Sequence, residues 1–146
     1  MHAASVQLLD SNYIIFKDAV GDARKLDDSL EKNGKKVGPL HGLPMTCKSD
    51  QTRGCFHVKG YDYTNGYISK TFNPSTYITY LIEPVKSAGP VIFAKTIGSQ
   101  PMLVARSVNN VFGLAKNPVV NHLTTCGSSG GEGSNIVFRG SGTGGD

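Results

Sequence analysis

The chain predicts an α/β fold, and two observations carry that expectation. Apolar residues at helical spacing fill one face of an early segment, and a later segment runs helix, glycine, then short buried strand. Phe16, Ala19, Val20, Ala23, Leu26 and Leu30 recur at steps of three and four, while Asp18, Asp22, Lys25, Asp28, Glu31 and Lys32 fall on the opposite side. Asn33-Gly34 then supplies a helix stop, because glycine enters positive φ without a Cβ clash. Residues Val91 to Lys95 form a short, mostly apolar run typical of a buried parallel strand.

The elements follow in order. Two glycines and two prolines bend Val37 to Pro44, and Met45 to Lys48 reads as a short strand. The polar stretch from Ser49 to Asn73 carries Phe56, Tyr61, Tyr63, Tyr67 and Phe72, expected as half-buried rings along a sheet edge. Asn65-Gly66 marks a turn within it. A second helix is expected from about Ser75, its N-cap, to Ser87, with Tyr77, Leu81 and Val85 on one face. Pro84 should kink or shorten that helix. Ala88-Gly89 ends it, Met102 to Val111 is expected to hold a short helix, and Asn109 to Thr125 is mostly loop.

Composition narrows the function. The 146 residues are enough for one domain, and 18 glycines and 7 prolines imply many turns. A net charge of +4 is spread along the chain, with only Lys32, Lys35 and Lys36 clustered, so no nucleic-acid footprint is expected. The three cysteines, Cys47, Cys55 and Cys126, lack paired zinc spacing, and no His-x-x-x-His pair supplements them. The expectations are free thiols, no metal and no cofactor. No basic-then-apolar leader and no membrane-length apolar run stands in the sequence, which makes a cytoplasmic protein without membrane contact the default expectation.

Chemistry concentrates in Gly127-Ser128-Ser129-Gly130-Gly131-Glu132-Gly133. Flanking glycines let such a loop present backbone N–H groups to a ligand. A phosphate-binding P-loop would need a lysine after Gly131, and none is there. A nucleophile elbow centred on Ser129 fits Gly-x-Ser-x-Gly, but no histidine follows His122 to serve it. A third arrangement is a serine–serine–lysine site in which a distant lysine is the base. Lys48, closing a mostly apolar strand, is a candidate. It reads either as a strand-end lysine reaching solvent or as an amine taken out of water beside a nucleophile.

The segment Gly38-Pro39-Leu40-His41-Gly42-Leu43-Pro44-Met45-Thr46-Cys47-Lys48 resembles the lysine motif of the amidase signature family, in particular its fungal acetamidase-like members. His57 to Tyr61, Ala88 to Thr96, Asn109 to Gly113, Asn117-Pro118 and Gly127 to Gly133 are similar to later family motifs, in the family's order. The resemblance implies a hydrolase of carboxylic amides on a mixed sheet flanked by helices, here partial, incomplete and loop-rich. Residues 1–146 would be a truncated N-terminal part of that domain. It further implies Lys48 as base and Ser128, in a cis peptide, as the serine bridging the base to a nucleophile. Gly127, Ser129, Gly130 and Gly131 would shape the substrate-binding loop.

The family's nucleophile lies farther on, in Gly-Thr-Asp-x-Gly-Gly-Ser. Here Arg139 to Asp146 reads Arg-Gly-Ser-Gly-Thr-Gly-Gly-Asp, and Ser141 aligns with a serine preceding the nucleophile segment. The nucleophile is therefore expected to be absent. Near the base, Ser49 interrupts a Lys-Asp pair, and Gln51 to Cys55 resembles a small insertion. Two readings stand: an amidase-family protein with little or no turnover by itself, and a non-catalytic α/β binding or remnant protein. A small-molecule amide is the expected partner of the first, and no oligomeric state is implied.

Overall fold

A computed structural model describes residues 16–48, 60, 62, 64, 66–80, 82–100, 103–141 and 143–145. Helix α1 spans Phe16–Asn33 and is followed by strand β1, Pro44–Lys48. A 3-10 turn at Ile68–Lys70 precedes helix α2, Ile82–Ser87, and strand β2, Val91–Thr96. Short strands β3, Val108–Asn109, and β4, Gly113–Leu114, lead to helix α3, Gly130–Val137, and strand β5, Thr143–Gly145.

Three of these strands form one sheet in the order β2-β1-β5, with both pairings parallel. β1 is thus central, which explains why Met45 to Lys48 are all buried. Alternation along β2 separates its two faces. Val91 and Phe93 border a groove shared with Ala19, Val20 and Ala23 of α1. Thr96, of opposite parity, bonds to Glu132 of α3. Helices therefore cover both faces, as expected of an α/β fold. β3 and β4 pair antiparallel in a separate small ladder.

The two best-patterned predictions hold. α1 ends where Gly34 takes φ +64° and donates its N–H to the Leu30 carbonyl at 2.8 Å. Its apolar face is only partly covered, with Ala19 buried and Val20 and Leu30 exposed. β1 and β2 lie side by side, and their approaches meet too. The Leu40 N–H reaches the Ala88 carbonyl at 2.9 Å, and the Gly42 N–H reaches that of Gly89 at 2.8 Å.

Other elements depart from expectation. The second helix starts at Ile82 rather than Ser75. The Ser75 hydroxyl is spent on a local turn, donating to the Tyr77 carbonyl at 2.8 Å instead of capping a helix. Pro84 consequently falls in the first turn of α2, where a missing N–H costs nothing. Between Leu103 and Val111 no helix forms; β3 lies there, followed by a turn. Asn109 dictates that outcome, since its Oδ1 accepts the N–H groups of Val111 at 3.1 Å and Phe112 at 2.8 Å. Phe72 is not half-buried but 90% exposed. Ser49, Gln51 to Cys55, Phe56, Tyr61, Tyr63, Leu81 and Met102 lie outside the described residues.

Candidate functional site

β1 points Thr46 and Lys48 to the α3 side of the sheet, and that geometry builds the site. Lys48 is 5% exposed, and its Nζ lies 2.9 Å from Ser128 Oγ and 2.6 Å from Ser129 Oγ. The lysine is therefore no strand-end residue reaching solvent. It sits between two hydroxyls that arrive from 80 and 81 residues away. A hydroxyl both donates and accepts, so each can pass a proton to or from the amine. The Gly127–Ser128 peptide is cis.

Ser129 stands at the N-cap of α3 without a capping hydrogen bond from its side chain. Its hydroxyl has turned to Lys48 instead. The expected glycine–serine loop is thus a loop only as far as Ser129, and a helix from Gly130 onward. Three glycines in its first four residues give α3 poor intrinsic helicity. Close packing accounts for two of them. A Cβ on Gly130 would meet Ser107 Oγ and Thr125 Oγ1 at 2.5 Å, and one on Gly131 would meet Ile97 N and O at 2.6 Å. Gly127 is approached as closely, by the Val104 carbonyl at 2.8 Å. The first N–H groups of α3 are already engaged, that of Gly130 by Ser107 Oγ at 2.6 Å and that of Gly131 by the Ile97 carbonyl at 3.2 Å.

Beneath the serines lies a polar network that sequence reasoning missed. Glu132, 4% exposed, accepts the hydroxyl of Thr46 at 2.7 Å and that of Thr96 at 2.6 Å. One carboxylate thereby ties α3 to both neighbouring strands. Asn135 adds Nδ2 bonds to Thr46 Oγ1 at 3.1 Å and Ser141 Oγ at 2.8 Å. Alternation along β1 places Thr46 and Lys48 on one face, which was the available signal. The partner carboxylate lies 86 residues away, beyond any local pattern.

The other face of the same strands buries a thiol and a second lysine. Cys47 is fully buried, and its thiol is pushed up to about 12, first by burial and then by the charge of Glu132. Lys95, its register partner on β2, is lowered to about 8 by burial and donates to the Asp62 carbonyl at 2.6 Å. Cys47 and Cys126 are free thiols, and no cluster of three metal-ligating side chains occurs among the described residues. No helix among them is long and apolar enough to cross a membrane.

Comparison with known proteins supplies the family. The family model described as Amidase matches residues 2–144. The chain belongs to the amidase family. Among its relatives, an acetamidase of Emericella nidulans is 39% identical over 139 residues, covering 94% of this chain and 24% of that protein. An amidase of Gibberella moniliformis is 41% identical over 132 residues, covering 88% and 23%. In structure, a fatty acid amide hydrolase superposes with a TM-score of 0.83 at 29% identity, covering 97% of this chain and 24% of its own. The chain thus spans about a quarter of the length of these relatives.

Proposed function

We propose that this amidase-family chain carries the base and the relay serine of a serine–serine–lysine site for hydrolysing small-molecule amides. The observation that carries this reading is the 2.9 Å contact between the buried Lys48 Nζ and the half-buried Ser128 Oγ, made across 80 residues. In the proposed cycle the neutral Lys48 amine takes a proton from Ser128 Oγ, which takes one from a nucleophilic hydroxyl as that hydroxyl bonds to the amide carbon. Collapse of the tetrahedral intermediate breaks the C–N bond, the leaving nitrogen taking a proton by the same route in reverse. Water activated through the same relay then cleaves the acyl ester, releasing the acid and restoring the hydroxyl. Gly127, Ser129, Gly130 and Gly131 line the substrate side in this reading. They act by shaping the backbone, because the Gly130 and Gly131 N–H groups already have acceptors.

Ser141 supports the view that the nucleophile is not among these residues. Its hydroxyl is buried and receives the Asn135 amide, an arrangement suited to structure rather than attack. The 146 residues alone are therefore proposed to turn over amides weakly or not at all. A cytoplasmic setting with reduced thiols belongs to the same proposal.

An activated fluorophosphonate and a chromogenic anilide test it together. The chain should resist serine labelling, and any residual anilide hydrolysis should vanish in Lys48→Ala and fall in Ser128→Ala. Robust labelling lost in Lys48→Ala would refute the inactive reading. Residual hydrolysis indifferent to Lys48 would refute its role as base.

A further inference from the structure

The two serines facing Lys48 do not hold themselves in place. The peptide groups on either side of Ser129 are fixed by a hydroxyl from elsewhere, that of Ser107, just ahead of β3. Ser107 is fully buried. Its Oγ accepts the Gly130 N–H at 2.6 Å and donates to the Ser128 carbonyl at 3.0 Å, with the Cys126 carbonyl farther off at 3.4 Å. A serine hydroxyl carries one donor and two acceptor sites, so one side chain can satisfy both peptide groups. Those two peptides bracket the Ser129 Cα, and their planes set its φ and ψ. With both planes clamped, the Ser129 hydroxyl and the adjoining Ser128 hydroxyl are directed together.

We propose that Ser107 is a positioning residue that aims the Ser128–Ser129 pair at Lys48. The rest of the cradle is backbone, and each of its bonds holds at most one of the two peptides, not both. The Ser99 N–H reaches the Ser128 carbonyl at 3.2 Å, and the Gly127 N–H reaches that of Ala105 at 2.9 Å. Neither bond touches the peptide between Ser129 and Gly130, whose carbonyl accepts the Gly133 N–H at 3.1 Å from within α3, whereas Ser107 Oγ bonds both peptides. Side-chain contact with Gly130 also explains why that position lacks a Cβ, since one would lie 2.5 Å from Ser107 Oγ. Catalytic meaning for this role rests on the proposed function of Lys48 and Ser128, whereas the positioning itself is read without turnover.

Limited acetylation with acetic anhydride, mapped by peptide mass spectrometry, reports how firmly Lys48 is held. The Lys48 rate is taken relative to the exposed Lys32 of α1. In Ser107→Ala this ratio should rise about fivefold, the equilibrium worth of one net hydrogen bond. Ser107→Cys, of similar size but with a weaker donor and acceptor, should give a smaller rise. Thr124→Ala is the control: its hydroxyl bonds the Ala115 carbonyl at 3.0 Å in the same loop region without touching the pair. That variant should leave the ratio unchanged. An unchanged ratio in both Ser107 variants overturns the proposal, and so does an equal rise in Thr124→Ala. Where Ser107→Ala does not fold, Ser107→Cys decides by the same criterion. A ratio that shifts as expected while measurable residual hydrolysis persists unchanged in Lys48→Ala removes the base assignment and leaves the positioning intact.

Discussion

Lys48 and Lys95 are both buried, both near the ends of adjoining parallel strands, and they point to opposite faces of one sheet. Lys95 donates to a backbone carbonyl, that of Asp62, a group that accepts a proton contact but cannot relay a proton. Lys48 meets two side-chain hydroxyls, each able to give as well as receive. Burial alone therefore does not distinguish a lysine suited to proton transfer from one that ties down a loop. The chemistry of the acceptor does. The faces differ likewise in what lies around each amine: a carboxylate–hydroxyl network beside Lys48, and a fully buried thiol across from Lys95.

The sharpest way to break this contrast is Glu132→Ala. It leaves the buried Thr46 and Thr96 hydroxyls without their carboxylate, and should cost about 3 kcal/mol in urea unfolding. A loss below about 1 kcal/mol would mean the network is not what secures α3 to the sheet. A second test measures the dryness of the Lys95 face. Iodoacetamide should alkylate native Cys47 at least about a hundredfold more slowly than exposed Cys126, as its raised pKa and burial require. Comparable rates would show that this face opens readily to solvent.

The third test concerns pH. With Lys95 at about 8 when folded and 10.5 ordinarily, the unfolded chain holds a proton that the folded chain lacks between those values. Stability from this group therefore rises with pH across that window and is penalised in full below about 8. The stability of the native protein relative to Lys95→Met should climb between pH 8 and 10.5. Cys47 acts in the opposite sense from 9.0 to about 12, and because the Lys95 charge lowers its pKa it does not cancel in the difference, so the climb is read most cleanly between pH 8 and 9.0. A flat difference would put Lys95 in contact with water.

What the sequence revealed and what it hid divide along physical lines. α1, β1 and β2 were legible because apolar periodicity reports burial directly, as did the Gly34 stop. The contact of Lys48 with Ser128 was anticipated through motif resemblance, since nothing local to either residue brings them together. α3 was hidden because Gly130, Gly131 and Gly133 argue against a helix. The packing that demands two of them comes from Ser107, Thr125 and Ile97. Glu132 and Asn135 were missed for the same reason: as isolated polar letters they look exposed, and only distant hydroxyls make them core residues. The misplaced helices around Ser75 and Met102 show the converse, where serine and asparagine side chains captured nearby backbone groups and won against helical spacing.

The central place of β1 has a consequence for the order in which the site can be assembled. The lysine appears early in the chain and the serine pair 80 residues later, so their meeting closes a long loop. The entropic cost of such closure grows only slowly, by about 0.6 kcal/mol per doubling of loop length, but it must be met before any contact rewards it. β2 can dock on β1 well before that point, leaving Lys48 at an open strand edge. As a ribosome delivers the chain, the amine should stay wet until α3 emerges and should then be enclosed in a single late step.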